Sequence, residues 1–298
     1  MNYHNSVMLK ECISGLNIKP NGVYVDATFG GGGHSQAILN NLSNGMLYSF
    51  DQDSDANQNI LSDKRFKFIK SNFRHIKKFL KIEGIKKIDG LLADLGVSSH
   101  QIDSPKRGFS IRFNEKIDMR MNMEISQSAV NILNEYSKEK LSEMFRKYGE
   151  FTNSKMIANK IVNFRKSSEI VNTNDLVLSL KNLTPISKKN KFLARIFQAV
   201  RIEVNDELSC LEDLLNSCNE LLKTNARIVI ISYHSLEDRI VKNFFKKGNV
   251  EGKLVKDFFG NVKNNFRQLN NKIIYPSEEE ILNNPRSRSA KLRIAEKL

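Results

Sequence analysis

Short apolar runs alternate with amphipathic stretches through the first hundred residues. Residues 22–27, 46–50, 66–69 and 88–93 read as strands, being brief, rich in β-branched and aromatic side chains, and bounded by turn residues. Between them, residues 35–42, 55–61 and 73–81 repeat apolar positions at helical spacing. Strand–helix alternation predicts an α/β fold of the doubly wound kind, with a parallel sheet and ligands at the carboxyl ends of its strands. The rhythm then changes. Residues 104–122 show no period, and from about residue 126 to 181 the pattern is helical only, as in Val130-Asn131-Ile132-Leu133. Ser126, Ser137 and Thr173 are the expected N-caps there. Residues 207–222 form an amphipathic helix with Leu208, Leu211, Leu215, Cys218 and Leu222 on one face. Residues 226–232 read as a buried strand and 290–295 as a last one. An all-helical block inside a βα chain predicts an inserted domain, set at 105–200, dividing the α/β domain into 1–104 and 201–298.

The first predicted strand runs into Asp26-Ala27-Thr28-Phe29-Gly30-Gly31-Gly32-Gly33-His34-Ser35, and a helix follows. Glycines there let the backbone approach a ligand, and the helix start presents unpaired N–H groups to it. The second strand ends at Asp51, where an acid about 20 residues beyond a glycine turn grips a ribose hydroxyl pair. A carboxylate there would repel a 2′-phosphate. With Asp94, three acids fall at three strand ends. A ribose-gripping Asp suits NAD, FAD or S-adenosylmethionine. The G-x-G-x-x-G spacing fits only its first two glycines, because Ser35 takes the last position. His34 stands where a P-loop has Lys, which argues against an NTPase. Asp26 suits a cationic amine such as that of S-adenosylmethionine and has no place beside a pyrophosphate.

Here the chain resembles a known family. The pattern Asp-x-Thr-x-Gly-x-Gly-Gly-His-Ser is similar to the cofactor loop of the RsmH (MraW) family of bacterial 16S ribosomal RNA cytosine-N4 methyltransferases. Further matches follow in the family's order: the stretch from Ile88 to Ser99, Arg107-Gly108-Phe109-Ser110, Asp118-Met119-Arg120-Met121, Phe197-Gln198-Ala199-Val200-Arg201-Ile202 with Val204-Asn205, Ser232-Tyr233-His234-Ser235-Leu236-Glu237-Asp238-Arg239, and Asn284-Pro285-Arg286-Ser287-Arg288-Ser289. They span nearly the whole chain. The resemblance implies a Rossmann-like class I methyltransferase sheet with an inserted all-helical domain. It implies S-adenosyl-L-methionine as cofactor, contacted by Gly32, Gly33, His34, Asp51, Phe73, Asp94 and Gln101, with Asp26 as a further candidate. Phe73 would lie beside the adenine. It also implies 16S rRNA in the small ribosomal subunit as partner. Asn122 stands where the family usually has Asp, which puts a role for that carboxylate in doubt. Many base-modifying amino-methyltransferases carry Asp/Asn-Pro-Pro-aromatic after the fourth strand, whereas Asp94-Leu95-Gly96-Val97 stands here. Base positioning must therefore differ.

The chemistry asks for an acceptor beside a poorly nucleophilic amine, and Asp94 is the catalytic candidate. Methylation at cytosine C5 would need a thiolate nucleophile. Cys12, Cys210 and Cys218 are widely spaced, none follows a proline, and Cys218 falls on an apolar helix face, so nitrogen is favoured. The same spacing argues against a disulfide framework or a metal motif, and fits a reducing cytoplasm. The formal net charge of +14 attracts polyanions. Arg107, Arg112, Arg120, Arg201 and Arg239, with Phe109, are candidates for holding RNA. Phe244 and Phe245 sit among lysines, but their helical spacing reads as core. No apolar run reaches the ~18 residues a spanning helix needs, and residues 1–5 lack a leader pattern. Homodimer formation is left open. Two other readings remain: a dinucleotide oxidoreductase, disfavoured by the glycine spacing, and a non-catalytic RNA-binding module, disfavoured by the intact Asp26, Gly32, Asp51 and Asp94.

Overall fold

A computed structural model describes residues 6–183, 186–256, 258–260, 264–270 and 272–298. Residues 1–5, where no leader pattern was read, lie outside it. The chain divides into two compact units, Met1–Gly96 with Leu208–Leu298, and Val97–Glu207.

The first unit opens with α1 (Leu9–Leu16), a helix that the sequence pattern does not announce. Then come β1 (Val23–Asp26), α2 (Gly33–Asn40), β2 (Met46–Asp51), β3 (Phe66–Lys70), α3 (Ile76–Ile82) and β4 (Ile88–Asp94). Each of these four strands lies within a residue or so of its expected bounds. The expected helix over 55–61 is instead a 3₁₀ segment, Ser54–Asn59. Its sequence, Ser-Asp-Ala-Asn-Gln-Asn, explains the difference: short polar side chains bond to nearby backbone and compete with the α ladder. Asp53 starts the segment, its carboxylate accepting from the Asp55 N–H at 3.1 Å. Likewise Phe73–His75 is a 3₁₀ turn capped by Asn72, and the α-helix begins only at Ile76.

The second unit is helical: α4 (Ser99–Asp103), α5 (Ala129–Glu135), α6 (Lys138–Tyr148), α7 (Ser154–Arg165), α8 (Thr173–Ser179) and α9 (Lys189–Asn205). Its own core includes Ile132, Leu141, Phe145, Ile157, Ile161, Leu176, Ile196 and Val200. Of the expected caps, Ser137 is one, accepting from Lys140 N–H at 3.2 Å. The others move: Ser128 rather than Ser126 caps α5, and Asn172 rather than Thr173 caps α8. Asn172 and Asp175 satisfy each other's backbone N–H groups at 3.0 and 2.9 Å, which Thr173 with its single hydroxyl does not reproduce. The stretch without period is tied down by Asn205 of α9, which accepts from the Met121 N–H at 2.7 Å and donates to the Met119 carbonyl at 2.8 Å.

The chain re-enters the first unit through α10 (Glu207–Leu221), β5 (Leu222–Ser232), α11 (Ser235–Lys247), β6 (Phe266–Gln268), α12 (Glu278–Asn283) and β7 (Lys291–Lys297). The seven strands form one sheet in the order β3-β2-β1-β4-β5-β7-β6. β1 to β5 are parallel, and β7 runs antiparallel to β5 and to β6. Alternate residues feed opposite faces. Leu91, Ala93, Ile228 and Ile230 join one core with Leu80 of α3, Leu215 of α10 and Phe244 of α11. Leu92, Val229 and Ile231 join the other with Cys12 of α1 and Ile38 of α2. Cys218, Phe244 and Phe245 are buried, as their helical spacing predicts. Among the described residues no helix is long and apolar enough to cross a membrane.

Candidate active site

The carboxyl ends of β1, β2 and β4 carry Asp26, Asp51 and Asp94, and the glycine turn starts from the middle of this row. Asp51 closes the turn. One carboxylate oxygen accepts from the Gly30 N–H at 2.8 Å and the other from the Asp53 N–H at 2.8 Å. Gly30 has φ +51° and Gly32 φ +79°, left-handed conformations that favour glycine. Asn59 holds the Gly30 carbonyl at 3.0 Å. A Cβ on Gly33 would lie 2.1 Å from Ser6 Oγ, whereas one on Gly30 or Gly31 would meet no atom within 4 Å. The turn is therefore packed on its inner side and open along Gly30 and Gly31, and α2 starts just beyond it.

Asp26 faces inward. It is fully buried, and its oxygens accept from Thr28 N–H at 3.1 Å and Ser35 Oγ–H at 2.7 Å. His34 is buried too, its Nε2 3.0 Å from the Val7 carbonyl. Asp26 braces the turn from behind, both of its oxygens being taken by protein partners. Asp94 differs. Its backbone N–H donates to Thr28 Oγ1 at 2.7 Å, and its Oδ1 accepts from the Tyr233 hydroxyl at 2.7 Å. Oδ2 has no hydrogen-bond partner among the described residues, and the side chain keeps partial exposure. Burial pushes the carboxyls of Asp51 and Asp94 up to about 6, with repulsion from Asp26 adding to both. Backbone N–H groups oppose the shift at Asp51, and His34 and Tyr233 oppose it at Asp94. At neutral pH both remain ionised acceptors.

Phe73 follows the third strand, half-buried, in the turn capped by Asn72. Asn72 donates to Gln52 Oε1 at 2.9 Å, tying that turn to the end of β2. Gln101, in the helical unit, is buried and spends its carbonyl on the Ser98 N–H at 3.0 Å in a capping box. The arginines separate into two kinds. Arg107 is buried and donates to the Arg120 and Met121 carbonyls at 3.0 and 3.1 Å. Arg120 pairs with Asp118 at 2.7 Å and reaches the Ile125 carbonyl, and Arg201 pairs in a fork with Glu207 at 2.7 and 2.9 Å. These three guanidinium groups are engaged within their own unit. Arg112 and Arg239 are exposed.

Two residues of the site escaped the sequence reading. Thr28 stands in the loop pattern with no role read for it, yet its hydroxyl accepts from the Asp94 N–H and joins β1 to β4. Tyr233 lies in a quoted motif, but its partner is 139 positions away. A hydroxylated aromatic directly after a buried strand was the only available signal.

A sheet of this strand order, with one antiparallel strand inserted beside β5 and an acid at the end of β2 closing a glycine turn, defines an S-adenosylmethionine-dependent class I methyltransferase. The chain belongs to the MraW methylase family, whose model matches residues 1–298. It is 53% identical over 298 residues to ribosomal RNA small subunit methyltransferase H of Parabacteroides distasonis, covering 99% of this chain and 98% of that one. It is 54% identical over 291 residues to the protein of the same name from Flavobacterium psychrophilum, covering 97% and 100%.

Proposed function

We propose that this protein transfers a methyl group from S-adenosylmethionine to the exocyclic N4 amine of a cytidine in 16S ribosomal RNA, within the small ribosomal subunit. The unit Met1–Gly96 with Leu208–Leu298 serves as the methyltransferase domain, and Val97–Glu207 as the helical insertion. The cytoplasm, where ribosomal subunits reside, is the compartment this reading assigns. One observation supports it above the rest. A carboxylate, Asp94, stands at the end of β4 with one oxygen anchored and the other without a hydrogen-bond partner among the described residues, in the same row as Asp51 and an open glycine turn.

The residues suit the cofactor. Asp51 offers a carboxylate to the ribose hydroxyls. Gly30 and Gly31 leave room for close backbone approach. Gly32 and Gly33 set the turn, with Asp26 bracing it. Phe73 offers a ring to the adenine. No lysine stands in the turn to hold a phosphate, which separates the site from nucleotide hydrolases. When bound, S-adenosylmethionine supplies an electrophilic methyl on a sulfonium, and its transfer to nitrogen leaves S-adenosylhomocysteine and releases one amine proton.

Asp94 performs the work that remains to the protein. The N4 lone pair is delocalised into the ring, so the amine needs orientation and an acceptor for its hydrogen. A carboxylate hydrogen-bonded to N–H raises electron density on nitrogen and stabilises the positive charge that develops there. None of the cysteines offers the alternative of attack through carbon: Cys12, Cys210 and Cys218 are all buried. Arg112 and Arg239, exposed, contribute to holding RNA, and a single-stranded or flipped base meets the demand for access.

The test uses methyl-labelled S-adenosylmethionine, small subunits from cells lacking this protein, and digestion of the RNA to nucleosides. Label in N4-methylcytidine, or in a further methylated form of it, is expected. Label in another nucleoside overturns the target atom.

A further inference from the structure

We infer that Tyr233 is a positioning residue for methyl transfer: its hydroxyl holds Oδ1 of Asp94 and thereby aims Oδ2 at the attacking amine. The inference rests on the role given to Asp94 above.

A carboxylate at a strand end turns easily, because its terminal torsion is broad and two-fold. One strong hydrogen bond to one oxygen fixes the plane and so the direction of the lone pairs on the other. Tyr233 is itself fixed. It directly follows β5, and its N–H donates at 2.8 Å to Oε2 of Glu237, the residue that forms the capping box with His234 at the start of α11. Asp94 is held from the other side, through its backbone N–H on Thr28 Oγ1. The 2.7 Å contact between hydroxyl and carboxylate thus joins two clamped pieces of backbone across β4 and β5.

Tyrosine suits this task because it has a single O–H donor. Burial pushes its hydroxyl far up, and the Asp94 charge adds to this, so Tyr233 stays protonated at every working pH. It cannot act as the base. Other groups also face Asp94. Asp26 of β1 and Glu237 of α11 disfavour its charged form, His34 of α2 favours it, and Cys12 of α1 is a buried thiol held neutral nearby. Among them Tyr233 is the one that bonds to the carboxylate directly.

Tyr233→Phe removes the hydroxyl and keeps the ring. The measurements are kcat and KM for small subunits, the pH profile of kcat, the melting temperature, and the thermal shift given by S-adenosylmethionine. A lost hydrogen bond to a charged group predicts a kcat about tenfold lower or more, with KM within about twofold. The cofactor shift stays as in wild type. The Tyr233 bond stabilises the ionised carboxylate, so its loss moves the acid limb to higher pH, by roughly half a unit or more. Activity at each pH is divided by the folded fraction measured at that pH, so the limb reads out even if the variant is less stable. An unchanged kcat, an unmoved acid limb, or a wild-type profile flat through pH 6 overturns the inference. Wild type that places no label in N4-methylcytidine overturns the reaction instead. Wild type that does so, with Tyr233→Phe matching it, removes only the role of Tyr233.

Discussion

Asp94 and Asp51 remain charged at neutral pH in surroundings that favour their neutral forms, and this has opposite effects on stability and on function. Each folded-state pKa of about 6 lies above the ordinary carboxylate value, so the folded chain holds extra protons between roughly pH 4 and 6. The stabilising contribution is present below pH 4 and lost as pH rises through 6. Asp94→Asn therefore raises the apoprotein's melting temperature at pH 7.5, by an amount worth roughly 1–2 kcal/mol after allowance for solvent screening. The gain vanishes near pH 4, and methyl transfer falls steeply. Thermal melts at the two pH values check both signs. Cofactor binding runs the other way: affinity weakens below about pH 6 as Asp51 protonates. S-adenosylmethionine raises the melting temperature of wild type and NAD does not, while Asp51→Ala abolishes the shift. A full shift in that variant removes the ribose assignment. At this scale the placing of Asp26, Asp51 and Asp94 at strand ends was legible. The sequence was illegible where a contact joined distant positions, as for Thr28 with Asp94 or Tyr233 with Asp94. Arg107 shows the same limit, since a guanidinium and the carbonyls it serves look alike in sequence whether it faces RNA or the core. Arg112→Ala should weaken rRNA binding severalfold with an unchanged melting temperature. Arg107→Ala should cost about 2 kcal/mol of stability by orphaning buried carbonyls.

Among the elements, the glycine turn allows structural and ligand roles to be separated residue by residue. Gly32 sits at φ +79° with a Phe29 ring atom 3.0 Å from any added Cβ, so Gly32→Ala strains backbone and packing together and lowers stability by about 1–2 kcal/mol. Gly31 has open space, so Gly31→Ala leaves the melting temperature unchanged and weakens S-adenosylmethionine binding. Calorimetric titration of the two variants tells them apart, and undiminished binding in Gly31→Ala shows that this edge does not face the cofactor. The strands of the sheet were readable because burial on both faces demands continuous apolar runs. α1 and β6 were not, being short and lacking such a run. The segment after β2 was misread as α-helix because the apolar spacing of 55–61 was weighed above the turn-forming preference of Asp and Asn.

Taken whole, the molecule has a formal net charge of +14 against a polyanionic substrate. Affinity for rRNA should fall about tenfold or more between 50 and 200 mM salt, whereas affinity for S-adenosylmethionine should change far less. Binding measured at the two concentrations decides it, and a salt-independent rRNA affinity would show that the basic surface is not engaged. The interrupted sheet has a further bearing, on how the molecule is made. β4 ends at Asp94 and its neighbour β5 begins at Leu222, with a self-contained helical core between them. On a translating ribosome roughly 130 residues separate the two, on the order of ten seconds of synthesis. During that interval β4, the most buried strand of the first half, has one hydrogen-bonding edge bare, while the helical unit has all its sequence-local partners and can collapse first. The nascent chain thus carries an exposed strand edge through the middle part of its synthesis, and its early yield depends on whatever shields that edge until β5 emerges.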